Sequence, residues 1–181
     1  VEAVSWEGAA EFCRRLSELP EEKRLGHLYR LPTEAEWEYS CRGRASSLTP
    51  FCFDAPSTSA TSTQANFDGN YPYGGAPTGP YLQRTTTVGS YKPNSFGLYD
   101  MHGNVYEWCQ DWYDENYYRN SSKKDPQGSE KGERRVVRGG SWGSDAGSCR
   151  AANRDHVGPD VRGYGVGFRV VLARREDSVT S

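Results

Sequence analysis

No apolar run in this 181-residue chain approaches the roughly 20 residues that cross a bilayer, so membrane insertion is not expected. No signal-peptide pattern opens the sequence, which favours a cytoplasmic location. The thiols contain no C-x-x-C pair. Cys13, Cys41, Cys52, Cys109 and Cys149 are scattered and odd in number, which rules out zinc-ribbon and thioredoxin-like sites on spacing. They are expected to be small buried hydrophobes in a reducing compartment. Positive charge has no surplus either: 22 Lys plus Arg face 24 Asp plus Glu, with no basic block, so nucleic acid is not an expected partner. There is no Gly-x-Ser-x-Gly elbow to support a serine triad. Aliphatic content is low, with hydrophobic residues at 35 %. Aromatic rings fill the gap: five Trp and twelve Tyr can build a core, while twenty Gly and ten Pro call for many loops. The length suits one domain.

Two helices are legible. Trp6, Ala9, Ala10, Cys13 and Leu16 form one helical stripe, with Ser5 as N-cap and Pro20 as the stop. Thr33 and Glu36 have capping-box spacing, Pro32 and Trp37 the staple positions, and Gly43 the stop. Residues 45–93 lack periodicity, but Phe67, Tyr71, Tyr73 and Tyr81 favour a loop packed by its own rings over disorder. Short strand-like pieces follow at 87–91, 97–99, 105–108, 135–138 and 167–172, with a Gly/Asp/Arg-rich tract at 139–166. The pattern is α+β: two helices, then small antiparallel sheets and long loops.

Four ordered blocks carry a family resemblance: Arg30 to Tyr39 (RLPTEAEWEY), Asn94 to Trp108 (NSFGLYDMHGNVYEW), Arg138 to Trp142 (RGGSW) and Gly167 to Val170 (GFRV). Together they resemble the formylglycine-generating enzyme (sulfatase-modifying factor) family, from about Val4 to Leu172. The resemblance implies a variant of the C-type lectin fold. It places the domain at 1–175, short of the family's first strands, with a tail at 176–181. Members that make formylglycine resemble one another in a pair of Cys five positions apart after the Gly-Gly-Ser block, where soft thiolates hold copper. Counted from Gly139, those positions fall on Ser144 and Cys149; anchored on Arg150 and Arg154, even Cys149 is out of register. One thiol cannot form a two-thiolate site, and a serine hydroxyl is too hard and too basic to replace the other. No copper and no formylglycine reaction are therefore expected; an oxidase retaining Cys149 is the competing class. His27, His102 and His156 have no H-x-x-x-H spacing, so an iron site like that of the sulfoxide-synthase relatives lacks ligands. Gly163 to Gly167 is glycine-rich but follows no βαβ pattern.

The resemblance also implies a structural Ca²⁺ held by Asp100 and Glu107 carboxylates and the carbonyls of Gly103 and Val105, a hard-oxygen set suited to that ion. The alternative is that both carboxylates accept backbone N–H bonds in a tight loop.

Similar sequences carry Asn at many places in the 143–166 tract. Here those places hold Gly143, Ser144, Asp145, Ser148, Asp155, Val157, Val161, Gly163, Tyr164 and Gly165, and His156 lies among them. Randomising the adenines of an Asn codon yields these residue types and cannot yield Lys, Glu, Gln, Met or Trp. The tract thus resembles the variable region of a diversity-generating retroelement protein. That implies a non-catalytic domain whose loop binds a protein or other macromolecule, using the small polar and Tyr side chains that paratopes use. An ordinary family domain with a Gly-rich loop is the alternative. Trp37, Trp108, Trp112 and Trp142 are read as core fillers. Arg138, Arg150, Arg154, Arg162 and Arg169 are read as loop stitches, and Glu34, Glu36 and Glu38 as capping, solvated residues.

Overall fold

The expected Ser5 cap opens α1 (Trp6–Glu18): its side chain accepts from Gly8 N at 3.2 Å. The computed structural model describes residues 1–45 and 49–174; the tail expected at 176–181 lies outside them. Ala9, Cys13 and Ser17 form the buried face of α1. Pro20 does more than stop this helix. With a fixed φ and no N–H it occupies the first position of a second, short helix, α2 (Pro20–Leu25), which ends on left-handed Gly26. β1 (His27–Arg30) follows. Then α3 (Glu34–Arg42) begins with the expected capping box: Glu36 N donates to Thr33 Oγ1 at 3.2 Å, and Thr33 N to the Glu36 carboxylate at 2.8 Å.

β2 (Phe51–Cys52) and β3 (Pro56–Ser57) form a minimal hairpin. The central sheet contains β4 (Tyr106–Trp112), β5 (Arg135–Arg138), β6 (Asp155–Val157) and β7 (Val166–Gly167) in the order β6-β5-β4-β7. A one-turn helix, α4 (Tyr117–Asn120), precedes β5. β5 is antiparallel to both β4 and β6, whereas β7 runs parallel to β4, so the sheet is mixed. β8 (Val171–Arg174) returns to pair with β1. The expected pieces at 87–91 and 97–99 are a turn and irregular chain, 167–172 is split between β7 and β8, and β6 rises unexpectedly inside the 139–166 tract.

Side chains alternate across β4 and β5. Trp108 and Val137 face α1 and pack with Ala9, Cys13 and Leu31; Cys109 and Val136 face α3 and pack with Trp37, Cys41 and Met101. Truncating either buried indole to Ala should cost about 3–5 kcal/mol. The long loop is packed by rings, as its composition predicts. Phe51, Phe53 and Phe67 form a third cluster with Ala146 and Cys149, and Tyr73 packs against it. All five cysteines are free and buried.

Arginines stitch the loops. Buried Arg138 bonds Glu34, Glu38 and the carbonyls of Ala151 and Asn153. Arg154 takes both Glu34 oxygens, at 2.8 and 2.9 Å. Glu34 is therefore not a solvated residue: it is 2 % exposed and is the shared counter-ion of two guanidiniums. Its burial is sustained because both charges are satisfied.

Candidate binding surface

The 142–165 tract is fixed by main-chain hydrogen bonds to distant segments. Trp142 N donates to Asn104 O, Ala146 N to Tyr71 O and Ala151 N to Pro50 O, while the carbonyls of Ser144, Pro159, Gly163 and Gly165 accept from the backbones of Asp68, Trp6, Ala3 and Tyr106, all at 2.8–3.2 Å. None of these bonds depends on a side chain of the tract.

Apart from half-buried Gly163, whose carbonyl accepts from Ala3 N, the expected residues fall into three groups. Gly143 and Tyr164 flank Trp142, whose indole N–H donates to Tyr164 O at 3.3 Å and whose ring stacks on Tyr81 at 6.4 Å, and Gly165 lies against Ser141. Trp142 is half-buried, not a core filler, and Tyr164 is 74 % exposed. A side chain at Gly143 would extend toward the Tyr81 hydroxyl, 3.9 Å from its Cβ. Asp145 closes its own turn by accepting from Ser148 N at 2.7 Å, and Val161 lies exposed further along. The third group turns inward. Ser144 accepts from Ser141 N at 3.0 Å, and the Tyr106 hydroxyl interacts with both Ser144 and Asp155. Burial pushes the Tyr106 hydroxyl up to about 12. His156 packs against Tyr113 in a tilted ring contact, with centroids 4.1 Å apart, and Val157 packs against the Trp108 cluster. Asp155, His156 and Val157 are thus sheet residues of β6 more than loop display. Tyr81, Tyr106 and Trp142 join the surface without having been expected there. Only Trp142 left a signal, its place immediately before the tract.

Cys149 points away from this surface, into the Phe51–Phe67 cluster, where its thiol crowds Gly140. Gly140 needs its left-handed φ of 76° here, and any Cβ would collide with that sulfur. Burial pushes the Cys149 thiol well above the ordinary thiol range, which disfavours the thiolate. His102, also buried, is held down to about 4 by desolvation; it bonds the Cys149 carbonyl through Nδ1 and accepts from Cys52 N through Nε2.

The loop expected to hold Ca²⁺ brings Asp100, Val105 and Glu107 to one cavity of about 500 Å³, with Arg169; Gly103 is not among its lining residues. Asp100 accepts from Gly89 N at 2.8 Å. Glu107 accepts from the Trp37 indole at 2.6 Å and pairs with Arg169 through both oxygens. The Arg169 guanidinium is the cation that pairs with Glu107 in this structure. Among the described residues, no cluster of three or more His, Cys, Asp or Glu side chains is arranged to hold a metal.

Residues 1–174 match the family described as Sulfatase-modifying factor enzyme 1-like domain. The chain is 38 % identical over 171 residues to a Chlamydia pneumoniae protein named Serine/threonine-protein kinase pkn1, covering 93 % of this chain and 23 % of the relative. It is 35 % identical over 170 residues to the Formylglycine-generating enzyme of Streptomyces coelicolor, covering 92 % of this chain and 50 % of that enzyme. The chain therefore spans half or less of these relatives. Among solved structures, Treponema denticola variable protein 1 superposes with a TM-score of 0.76 at 27 % identity, over 96 % of this chain and 70 % of that one. PvdO from Pseudomonas aeruginosa gives 0.72 at 35 % identity, over 94 % and 60 %.

Proposed function

The chain belongs to the Sulfatase-modifying factor enzyme 1-like domain family, and within it we propose a non-catalytic binding module that presents the 143–166 surface to a protein or other macromolecule. The observation that carries this reading is the division of labour in the tract. Its path is held by main-chain bonds from seven points, while Gly143, Asp145, Val161 and Tyr164 project to solvent. Such a surface can change side chains without changing shape. The likeness to a solved variable protein supports a diversified surface in particular. The competing reading, an oxidase acting on a substrate cysteine, draws on the relatives that are named for that activity. Against it stand Ser144 at the first thiol position and the buried, hard-to-ionise Cys149 at the second.

Two measurements test the reading. Oxygen uptake with a Cys-containing peptide and Cu(I) should stay at background; turnover abolished by Cys149→Ala would establish an oxidase instead. The gene neighbourhood should hold a reverse transcriptase and a template repeat that differs from the 143–166 coding segment only at adenines. A Ca²⁺ brace at Asp100, Gly103, Val105 and Glu107 is a separate proposal, in which the ion and Arg169 compete for Glu107.

A further inference from the structure

A groove of about 740 Å³ opens between α1, β1, the end of β4 and the 127–130 loop, and it shares no residue with the 143–166 surface. Its volume falls within the range of about 300–1,000 Å³ usual for small-molecule sites. Ala10, Cys13 and Leu31 supply apolar wall. On the floor, the Arg135 guanidinium lies between two indoles, 3.7 Å from the ring centre of Trp6 and 3.5 Å from that of Trp112. With both faces covered, only the edge of the guanidinium has donors to offer. Nη1 gives one to the Gln110 carbonyl at 2.6 Å, and Nε is buried without a partner.

The other arginines along the groove are neutralised: Arg14 pairs with Glu11 and Glu18, and Arg30 with Glu36. Arg135 makes no ion pair among the described residues. It feels the charges of Glu7 and Asp111 without a bond to either, and desolvation lowers its pKa. A half-desolvated guanidinium beside an apolar groove is short of one thing, an anion.

We propose that this groove binds a small organic carboxylate with an apolar body, its acid group on the Arg135 edge and its body along the α1 wall. Two indoles fix the cation by cation–π contact and pre-orient it, so little ordering remains to be done on binding.

Calorimetric titration with 4-phenylbutyrate and with 4-phenylbutan-1-ol tests this. The acid should bind saturably, and the alcohol at least ten-fold more weakly. Arg135→Gln should lower the affinity for the acid ten-fold or more and erase the difference between the ligands. Ala10→Trp, which fills the groove and leaves the guanidinium in place, should remove binding of both, with circular dichroism confirming that each variant is folded. Lack of saturable acid binding at millimolar concentration, equal affinity for acid and alcohol, or undiminished binding to folded Ala10→Trp would each overturn the assignment.

Discussion

The guanidinium of Arg138 meets the carboxylate of Glu34 at 3.2 Å across 104 residues of sequence, with both side chains shut away from solvent. The pair joins the start of α3 to the strand that precedes the 142–165 tract. Through the Ala151 and Asn153 carbonyls, Arg138 also holds the middle of that tract in place.

Breaking this pair on one side leaves a buried charge unmatched. Arg138→Met and Glu34→Gln should each lower the unfolding free energy by about 3–5 kcal/mol. Urea titration checks this. Losses below about 1 kcal/mol would show that the network is not the clamp described.

Asp111 should shape the pH profile. It is 2 % exposed, one oxygen accepts from Glu34 N, the other has no partner, and burial raises its pKa to about 7. A folded pKa above the unfolded value of about 3.9 means that its contribution is fully present below that value and is lost as pH climbs toward 7. His102 works in the opposite sense: its pKa of about 4 lies below its ordinary value, so its contribution is lost as pH falls from about 6.5 toward 4. The two slopes oppose each other between about pH 4 and 6.5. Asp111→Asn should raise stability at pH 7.5 by on the order of 1–3 kcal/mol and uncover the His102 slope. Melting curves from pH 4 to 8 decide; identical profiles for both proteins would refute the assignment.

Arg169 and calcium should be interchangeable partners of Glu107. Arg169→Met should melt well below the parent, since a buried carboxylate loses its cation, and millimolar Ca²⁺ should recover part of the loss. If neither protein responds to Ca²⁺ or to chelator, the loop holds no ion.

The display tract should tolerate change where it is exposed and resist it where it is packed. Substitutions at Gly143, Asp145, Val161 and Tyr164 should each shift stability by less than about 0.5–1 kcal/mol. Gly140→Ala should cost more than any of them, because its φ is positive and the Cys149 sulfur blocks the added methyl. Differential scanning fluorimetry of the set ranks them; a Gly140→Ala protein as stable as the Tyr164 variants would contradict the packing.

Local chemistry was readable in the sequence wherever it acts within a few residues. The Ser5 and Thr33 caps, the Gly43 stop and the burial of Trp37 and Trp108 all follow from spacing and composition. Pro20 shows the limit: the residue that terminates one helix is equally suited to begin another, and only the chain beyond it decides. β6 escaped notice because Asp155, His156 and Val157 lack an alternating pattern and are strand only through pairing with β5. Trp142 was misplaced as core because an indole in a sequence does not reveal whether its second face is covered. The site residues divide for the same reason, since exposure in a loop depends on what packs beneath it.

Because the path of the tract is secured by main-chain amide and carbonyl groups, its exposed positions Gly143, Asp145, Val161 and Tyr164 can change chemistry one codon at a time without a compensating change elsewhere. If this surface binds as proposed, new specificities lie a single step apart at those positions, and the scaffold beneath stays blind to the change.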